Sequence, residues 1–252
     1  MKLLNRLRRG RPQTQPASAA LPDGLRVYAI GDVHGRLDLL DALLARIVAD
    51  DAARGAAATQ IIFLGDLVDR GPDSAGVIDR ARALAASGAR FLMGNHEELF
   101  LRSLDGDVQA LRTMLRVGGR ETILSYGVSE EDYAACDYDE LSTLIRERVP
   151  REHVAFLSAF EDAIVLGDYA FVHAGIRPGM PMAEQSASDL RWIRREFLES
   201  EEDHGLMIVH GHSISETVDE RPNRIGIDTG AFASGRLTAV ALEGRERWYL
   251  ES

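Results

Sequence analysis

Apolar residues along this chain follow two different periods. Short apolar runs at Val27 to Ile30, Ile61 to Leu64 and Phe91 to Met93 read as strands, and each breaks off at a glycine. Between them the period lengthens. Leu37, Leu40, Leu43, Leu44, Ile47 and Val48 line one face of a helix, as do Val77, Ile78, Ala81, Leu84 and Ala85. Gly55 and Gly88 stand where those helices should stop. From His96 to about Ala159 the pattern is mostly helical, broken at Gly118-Gly119 and again around Gly127. The chain then turns to β over Ala163 to Leu166, Tyr169 to His173, Leu206 to His210, Arg224 to Asp228, Leu237 to Leu242 and Arg247 to Leu250. Strand–helix units followed by a strand-rich half predict an α/β fold of two packed sheets flanked by helices. With no repeat and no interior linker, residues 23–252 read as one domain.

The three glycine breaks carry the chemistry. They open Gly31-Asp32-Val33-His34-Gly35, Gly65-Asp66-Leu67-Val68-Asp69-Arg70-Gly71 and Gly94-Asn95-His96-Glu97. A glycine there lets the backbone turn sharply and bring the next side chain back over the strand end. One Gly-Asp pair is an ordinary turn. Three in order, with carboxylate, imidazole and amide side chains, suggest a pair of divalent metals acting on a phosphate ester. His173, ahead of Ala174-Gly175, and His212, after Gly211, stand at later strand ends and supply the missing nitrogen donors. Of the seven histidines, His153 and His204 sit in polar surroundings and read as surface residues.

Composition narrows the setting. A single cysteine, Cys136, leaves no disulfide framework and no Cys-rich zinc site, which fits a reducing cytoplasm. No apolar run is long enough to span a membrane. The formal charge of -11 is unevenly placed. Residues 1–20 hold Lys2, Arg6, Arg8, Arg9 and Arg11 and no acid, so the body is more acidic still. That argues against nucleic-acid binding. Residues 1–22 read as a flexible basic tail without the apolar core of a signal peptide. Contact of Leu3, Leu4 and Leu7 with a membrane surface is the alternative for that tail, without stable insertion.

The motif order, with His-Ala-Gly at 173–175 and Gly-His at 211–212, resembles the phosphoprotein phosphatase family of calcineurin-like metallophosphoesterases. Its bacterial and bacteriophage serine/threonine protein phosphatases are the nearest branch. The resemblance runs from about Val27 to Leu242 and includes Asp189-Leu190-Arg191-Trp192-Ile193-Arg194 and Ile227-Asp228-Thr229-Gly230-Ala231. The tyrosine-containing C-terminal motif of the eukaryotic enzymes is absent, so their substrate and inhibitor rules do not carry over.

The resemblance implies the calcineurin-like fold, two packed mixed β-sheets flanked by helices, and a site. Asp32 and His34 would hold a first metal, Asp66 would bridge, and Asn95, His173 and His212 would complete the second. Such mixed ligands suit manganese first, with iron or zinc as alternatives, better than calcium. Two ions about 3.5–4 Å apart could share the attacking hydroxide and clamp an in-line displacement. Arg70 and Arg194 would bind the phosphate, because a planar bidentate donor matches its oxygens. His96 would protonate the leaving oxygen, oriented by Asp69. Arg70 could instead form a turn-stabilising ion pair, and Arg191 and Arg195 make the choice of Arg194 ambiguous. His210 reads as structural or as support behind a ligand, and Glu97 as serving the helix start. Leu99 to Ala159 would build a substrate wall, with Gly118-Gly119-Arg120 and Ser125-Tyr126-Gly127 either touching substrate or packing helices.

Other phosphatase mechanisms lack their residues. Ser142 stands where a cysteine-dependent enzyme would need arginine six positions after Cys136, no Gly-Lys-Ser/Thr loop exists, and Asp32 is not followed by a second aspartate at the spacing of aspartyl-phosphate enzymes. Three functions remain. The first expectation is a serine/threonine protein phosphatase acting on a phosphorylated protein or peptide, with phosphotyrosine as a further substrate. A diadenosine-tetraphosphate or nucleotide-cap hydrolase using the same metals is the alternative, and an inactive binding module the third.

Overall fold

The run Leu25–Ile30 forms strand β1, and every residue from Arg26 to Ile30 is buried. The structure, a computed structural model, describes residues 19–252. After β1 come α1 (Leu37–Ala53), β2 (Ala58–Phe63), α2 (Ser74–Ala85) and β3 (Arg90–Phe91). The helical stretch divides into α3 (Asn95–Leu104), α4 (Val108–Arg116), α5 (Gly119–Ser125), α6 (Glu130–Ala135), α7 (Tyr138–Arg148) and α8 (Arg151–Leu157). Then follow β4 (Ala163–Leu166), β5 (Tyr169–Val172), α9 (Ala187–Trp192), α10 (Arg195–Leu198), β6 (Met207–His210), β7 (Asp219–Glu220), β8 (Arg224–Gly226), α11 (Ala231–Ser234), β9 (Thr238–Glu243) and β10 (Glu246–Glu251).

These strands make two five-stranded mixed sheets, in the orders β10-β9-β1-β2-β3 and β4-β5-β6-β8-β7. Strand alternation decides which side chains fill which layer. From β1, Val27 and Ala29 enter the core between the sheets, where they meet Tyr169, Phe171, Val209 and Ile225. Tyr28 and Ile30 face the other way and pack under α1 against Leu40, Leu43 and Ile47. Both faces are covered, so β1 needs no polar alternation. The helices from α3 to α8 close a separate apolar core around Phe100, Leu111, Met114 and Ile145.

Three expectations change. The tail expected over residues 1–22 lies outside the described residues up to residue 18. Ala19 and Leu21 are buried in the core between the sheets, and the Leu21 N–H donates to the Gly244 carbonyl at 2.8 Å. His153, expected at the surface, is buried between Tyr126 Oη at 3.0 Å and Asp79 Oδ1 at 2.9 Å. His204 is half-buried against the Phe197 ring. The pair β7, only Asp219–Glu220, is too short to show a period in the sequence. Among the described residues no helix is long and apolar enough to cross a membrane.

Candidate metal centre

The parallel strands end side by side, and each turn carries a functional side chain. Asp32 and His34 follow β1, Asp66 to Arg70 follow β2, and Asn95 and His96 open α3 just after β3. On the other sheet His173 follows β5 and His212 follows β6. Strand carboxyl ends are the usual crevice for ligands in such sheets.

The turns are strained. Among the described residues, five non-glycine side chains have left-handed backbone: His34 (φ 47°), Asp66 (51°), Asp69 (73°), Arg70 (70°) and His212 (61°). Each such conformation costs on the order of 1–3 kcal/mol and persists only where the surroundings enforce it. Glu97 supplies much of that enforcement. Its buried carboxylate accepts the N–H groups of Asp66 (2.8 Å), Leu67 (2.7 Å), Val68 (3.2 Å) and Gly94 (3.1 Å). Glu97 closes the start of α3, as expected, and also pins the loop of Asp66. Gly94 and Gly211 permit the close approach, since a Cβ on either would overlap the carboxylate of Asp66 or Asp32.

Asp66 sits at the centre of the ring. Its Oδ2 lies 3.7 Å from His34 Nε2 and its Oδ1 lies 3.4 Å from His173 Nε2. One carboxylate therefore faces two donor clusters. Ligand atoms of His34, Asp66 and His96 lie within 4.8 Å of one another, as do those of Asp66, His173 and His212. His173 Nε2 is also 3.0 Å from Asn95 Oδ1. Asp32 joins from the side of His212, whose N–H donates to its carboxylate at 3.0 Å.

These groups fit a pair of metal ions. His34 and His173 each turn Nδ1 to a backbone carbonyl, of Val68 and Leu64, both at 2.8 Å. That bond turns Nε2 of each ring toward the donor cluster, as in most metal-bound histidines. His34 Nε2 and His212 Nε2 are buried without any hydrogen-bond partner. Burial holds the pKa of His34 at about 3 and that of His212 at about 2, with His173 also acting on His212, so both imidazoles are neutral donors. Burial opposes ionisation of Asp66, but His173 and His96 outweigh it and hold the carboxylate well below its usual range. Burial, Asp228 and Asp66 push Asp32 well up, which is what crowded carboxylates do before a cation joins them. Burial and Asp66 raise Glu97 to about 7.

The expected phosphate-side residues flank this ring. His96 Nδ1 is 2.7 Å from Asp69 Oδ2, and its Nε2 is 3.2 Å from Arg70 Nη2. Arg70 makes no ion pair with Asp69; it lies over the Phe232 ring, 4.6 Å from the centroid. Arg194 donates to the His212 carbonyl at 3.4 Å, while Arg191 pairs with Asp162 and Glu98, and Arg195 with Glu199. Of those three arginines, Arg194 is the one that reaches the ring. His210 turns away, edge-on to Phe197 and 3.0 Å from the Gly211 carbonyl, and serves packing.

The wall segments support the ring from behind. The Gly118 carbonyl accepts the Arg70 N–H at 2.9 Å, and Thr122 on α5 bonds to Asp69. Tyr126 packs on His153 and Phe100. Sequence reasoning gave no role to Asp228, which is buried beside Asp32. Its signal was present in the strand–Asp–Thr–Gly order at 227–230.

Residues 25–234 match the calcineurin-like phosphoesterase family. The asymmetrical bis(5'-nucleosyl)-tetraphosphatase of Bacillus velezensis is 28% identical over 248 residues, spanning 88% of this chain and 91% of that enzyme. A symmetrical bis(5'-nucleosyl)-tetraphosphatase of a Janthinobacterium strain is 30% identical over 163 residues, and there the match spans 65% of this chain and 48% of the relative. In three dimensions, a candidate diadenosine tetraphosphatase superposes with a TM-score of 0.64 at 23% identity, covering 93% of this chain and 98% of its own. By sequence match and by fold, this chain belongs to the calcineurin-like phosphoesterase family.

Proposed function

We propose that the chain is a metal-dependent hydrolase of bis(5'-nucleosyl) tetraphosphates. The observation that carries this reading is the match to the B. velezensis enzyme across 91% of that enzyme's length. The serine/threonine protein phosphatase expected first from the sequence thereby becomes the second reading. A cleft of about 720 Å³, walled by Arg36, Asp38, Pro72 and Phe232, reaches Arg70, and a nucleotide bound through that arginine could extend into it. The single cysteine is in keeping with a cytoplasmic enzyme.

In this reading Asp32, His34 and Asp66 would hold one divalent ion, and Asp66, Asn95, His173 and His212 the other. Two such ions, manganese in our reading, would supply Lewis acidity and an activated water that forms the new P–O bond. The remaining work falls to side chains. Arg70 and Arg194 present guanidinium groups to the non-bridging oxygens of the attacked phosphorus and fix it for in-line displacement. The P–O bond to the leaving nucleotide breaks as the new P–O bond forms. His96, held by Asp69, delivers a proton to the departing oxygen.

The test compares manganese-loaded protein on diadenosine tetraphosphate and on a phosphoserine peptide, with Asp66→Asn as control. Faster turnover of the dinucleotide, lost in the control, supports the proposal. Products of one mononucleotide and one triphosphate would mark asymmetrical cleavage. Faster turnover of the peptide would restore the protein phosphatase, and turnover of neither would favour a binding module.

A further inference from the structure

Strands β1, β2, β3, β5 and β6 each lead to a member of the donor ring. One more strand runs with them: β8 is parallel to β6, and its turn carries Asp228. The register places Asp228 where the other strands place their ligands, just past the carboxyl end. The ends of β8 and β1 also touch, since a Cβ on Gly31 would lie 2.7 Å from the Ile227 carbonyl oxygen.

The Asp228 side chain is 1% exposed and held by its surroundings. Its Oδ1 accepts the Gly230 N–H at 2.9 Å, and its own carbonyl accepts the Ser215 N–H at 3.0 Å. Its Oδ2 is buried and receives no hydrogen bond. Asp228 acts on the neighbouring Asp32 carboxyl group as a negative charge, so two buried acid groups share this corner of the site. Asp66 acts on Asp228 as a further negative charge, and Arg70 offsets part of the repulsion. Buried carboxylates so arranged are strongly unfavourable unless a cation joins them. The two donor clusters are also unequal. In the two-metal reading Asp66, Asn95, His173 and His212 would face one ion, whereas only Asp32, His34 and Asp66 would face the other.

We propose that Asp228 is a further donor to the first metal ion, offering Oδ2 alongside Asp32. The inference rests on the two-metal reading and is independent of whether the substrate is a nucleotide. It makes the first position rich in carboxylate and the second rich in imidazole, so the first ion should be the harder of the two.

The test is manganese titration of chelator-stripped full-length protein, followed by calorimetry, by electron paramagnetic resonance and by thermal melting. Wild-type protein should bind two ions and show the signal of a coupled pair. Asp228→Asn should keep one ion at wild-type affinity and bind the other about 10- to 100-fold more weakly. At two equivalents its spectrum should be mainly that of isolated ions. Without metal, the variant should melt close to the wild type, because asparagine keeps the Oδ1 that accepts the Gly230 N–H, and manganese should raise its melting temperature less. Two ions at unchanged affinity, or a metal-free variant that melts well below the wild type while both sites persist, would overturn the proposal. Should Asp228→Asn fail to fold, Asp228→Ser is titrated in its place against the same expectations. Wild-type protein binding fewer than two ions would overturn the two-metal reading itself, an outcome distinct from failure of Asp228 alone.

Discussion

Asp69 aims His96. The carboxylate accepts a hydrogen bond from Nδ1 at 2.7 Å, and Asp69 is itself fixed by Thr122 Oγ1 at 2.6 Å and, through its N–H, by Ser74 Oγ at 3.0 Å. With Nδ1 so committed, Nε2 lies 3.2 Å from Arg70 Nη2, and a residue on α3 is positioned by hydroxyls on α2 and α5. In the proposed reaction this Nε2 is where the leaving oxygen receives its proton.

Leaving-group dependence follows from that assignment. Replacing His96 with asparagine should slow hydrolysis of an alkyl phosphate by about 10²- to 10⁴-fold. The loss on the phosphoanhydride should be smaller, and that on p-nitrophenyl phosphate smallest, because those leaving groups need less protonation. Steady-state rates on the three substrates decide it. Equal losses across them would assign His96 to binding.

The pH profile should show the same group. Burial lowers the His96 pKa, but Asp66 and Asp69 more than compensate and raise it above its ordinary 6.5. A general acid works while protonated, so the rate on a poor leaving group should hold at low pH and fall as pH rises through that elevated pKa. Removing one of the raising charges with Asp69→Asn should move this alkaline limb to lower pH. A limb that stays in place would mean that another group sets it.

Phe232 helps to hold Arg70, whose guanidinium lies 4.6 Å from the ring centroid, alongside the Val117 carbonyl and His96. A cation–π contact of this kind is worth about 0.5–2 kcal/mol. Phe232→Ala should therefore lower kcat/KM about three- to thirtyfold, and Arg70→Ala about a hundredfold. Adding Phe232→Ala to Arg70→Ala should cost little more, since the ring acts through the arginine. Additive losses would instead give Phe232 its own contact with substrate.

The ring was legible wherever its code is local. Asp32, Asp66, Asn95 and His212 each follow a glycine at the end of an apolar run, and His173 ends such a run two residues before Gly175, so strand, turn and donor are read together within a few residues. What was hidden depends on partners far along the chain. His153 looks polar in sequence, yet its partners Asp79 and Tyr126 are 74 and 27 residues away. Three neighbouring arginines could not be ranked until Glu98, Asp162 and Glu199 engaged two of them. Glu97 carried a helix-start signal because that bond spans three residues, whereas its bonds to the loop of Asp66 span about thirty. The substrate stayed hidden for a different reason: the metal motif encodes the displacement at phosphorus, and the groups on either side of that phosphorus are met by surfaces that no short motif describes.

Glu97 gives the sharpest stability test, because one side chain restrains the backbone of a donor that it never touches through a side chain. Its two oxygens accept four N–H groups, from Asp66, Leu67, Val68 and Gly94. Glutamine keeps the shape but turns an amide toward donors, leaving at least one buried N–H unsatisfied and removing the charge from the rest. Hydrogen bonds to a charged group are worth about 1.5–3 kcal/mol, and an unpaired buried donor costs about 1–3 kcal/mol. A net loss of about 3 kcal/mol is expected for Glu97→Gln, which in a chain of this size lowers the melting temperature by about 6–12 °C. The loop should also relax from the left-handed conformation of Asp66, φ 51°, so manganese affinity should fall with stability. A destabilised variant that binds manganese as tightly as the wild type would show that the strain at Asp66 is maintained by the metal ligands themselves, without help from Glu97.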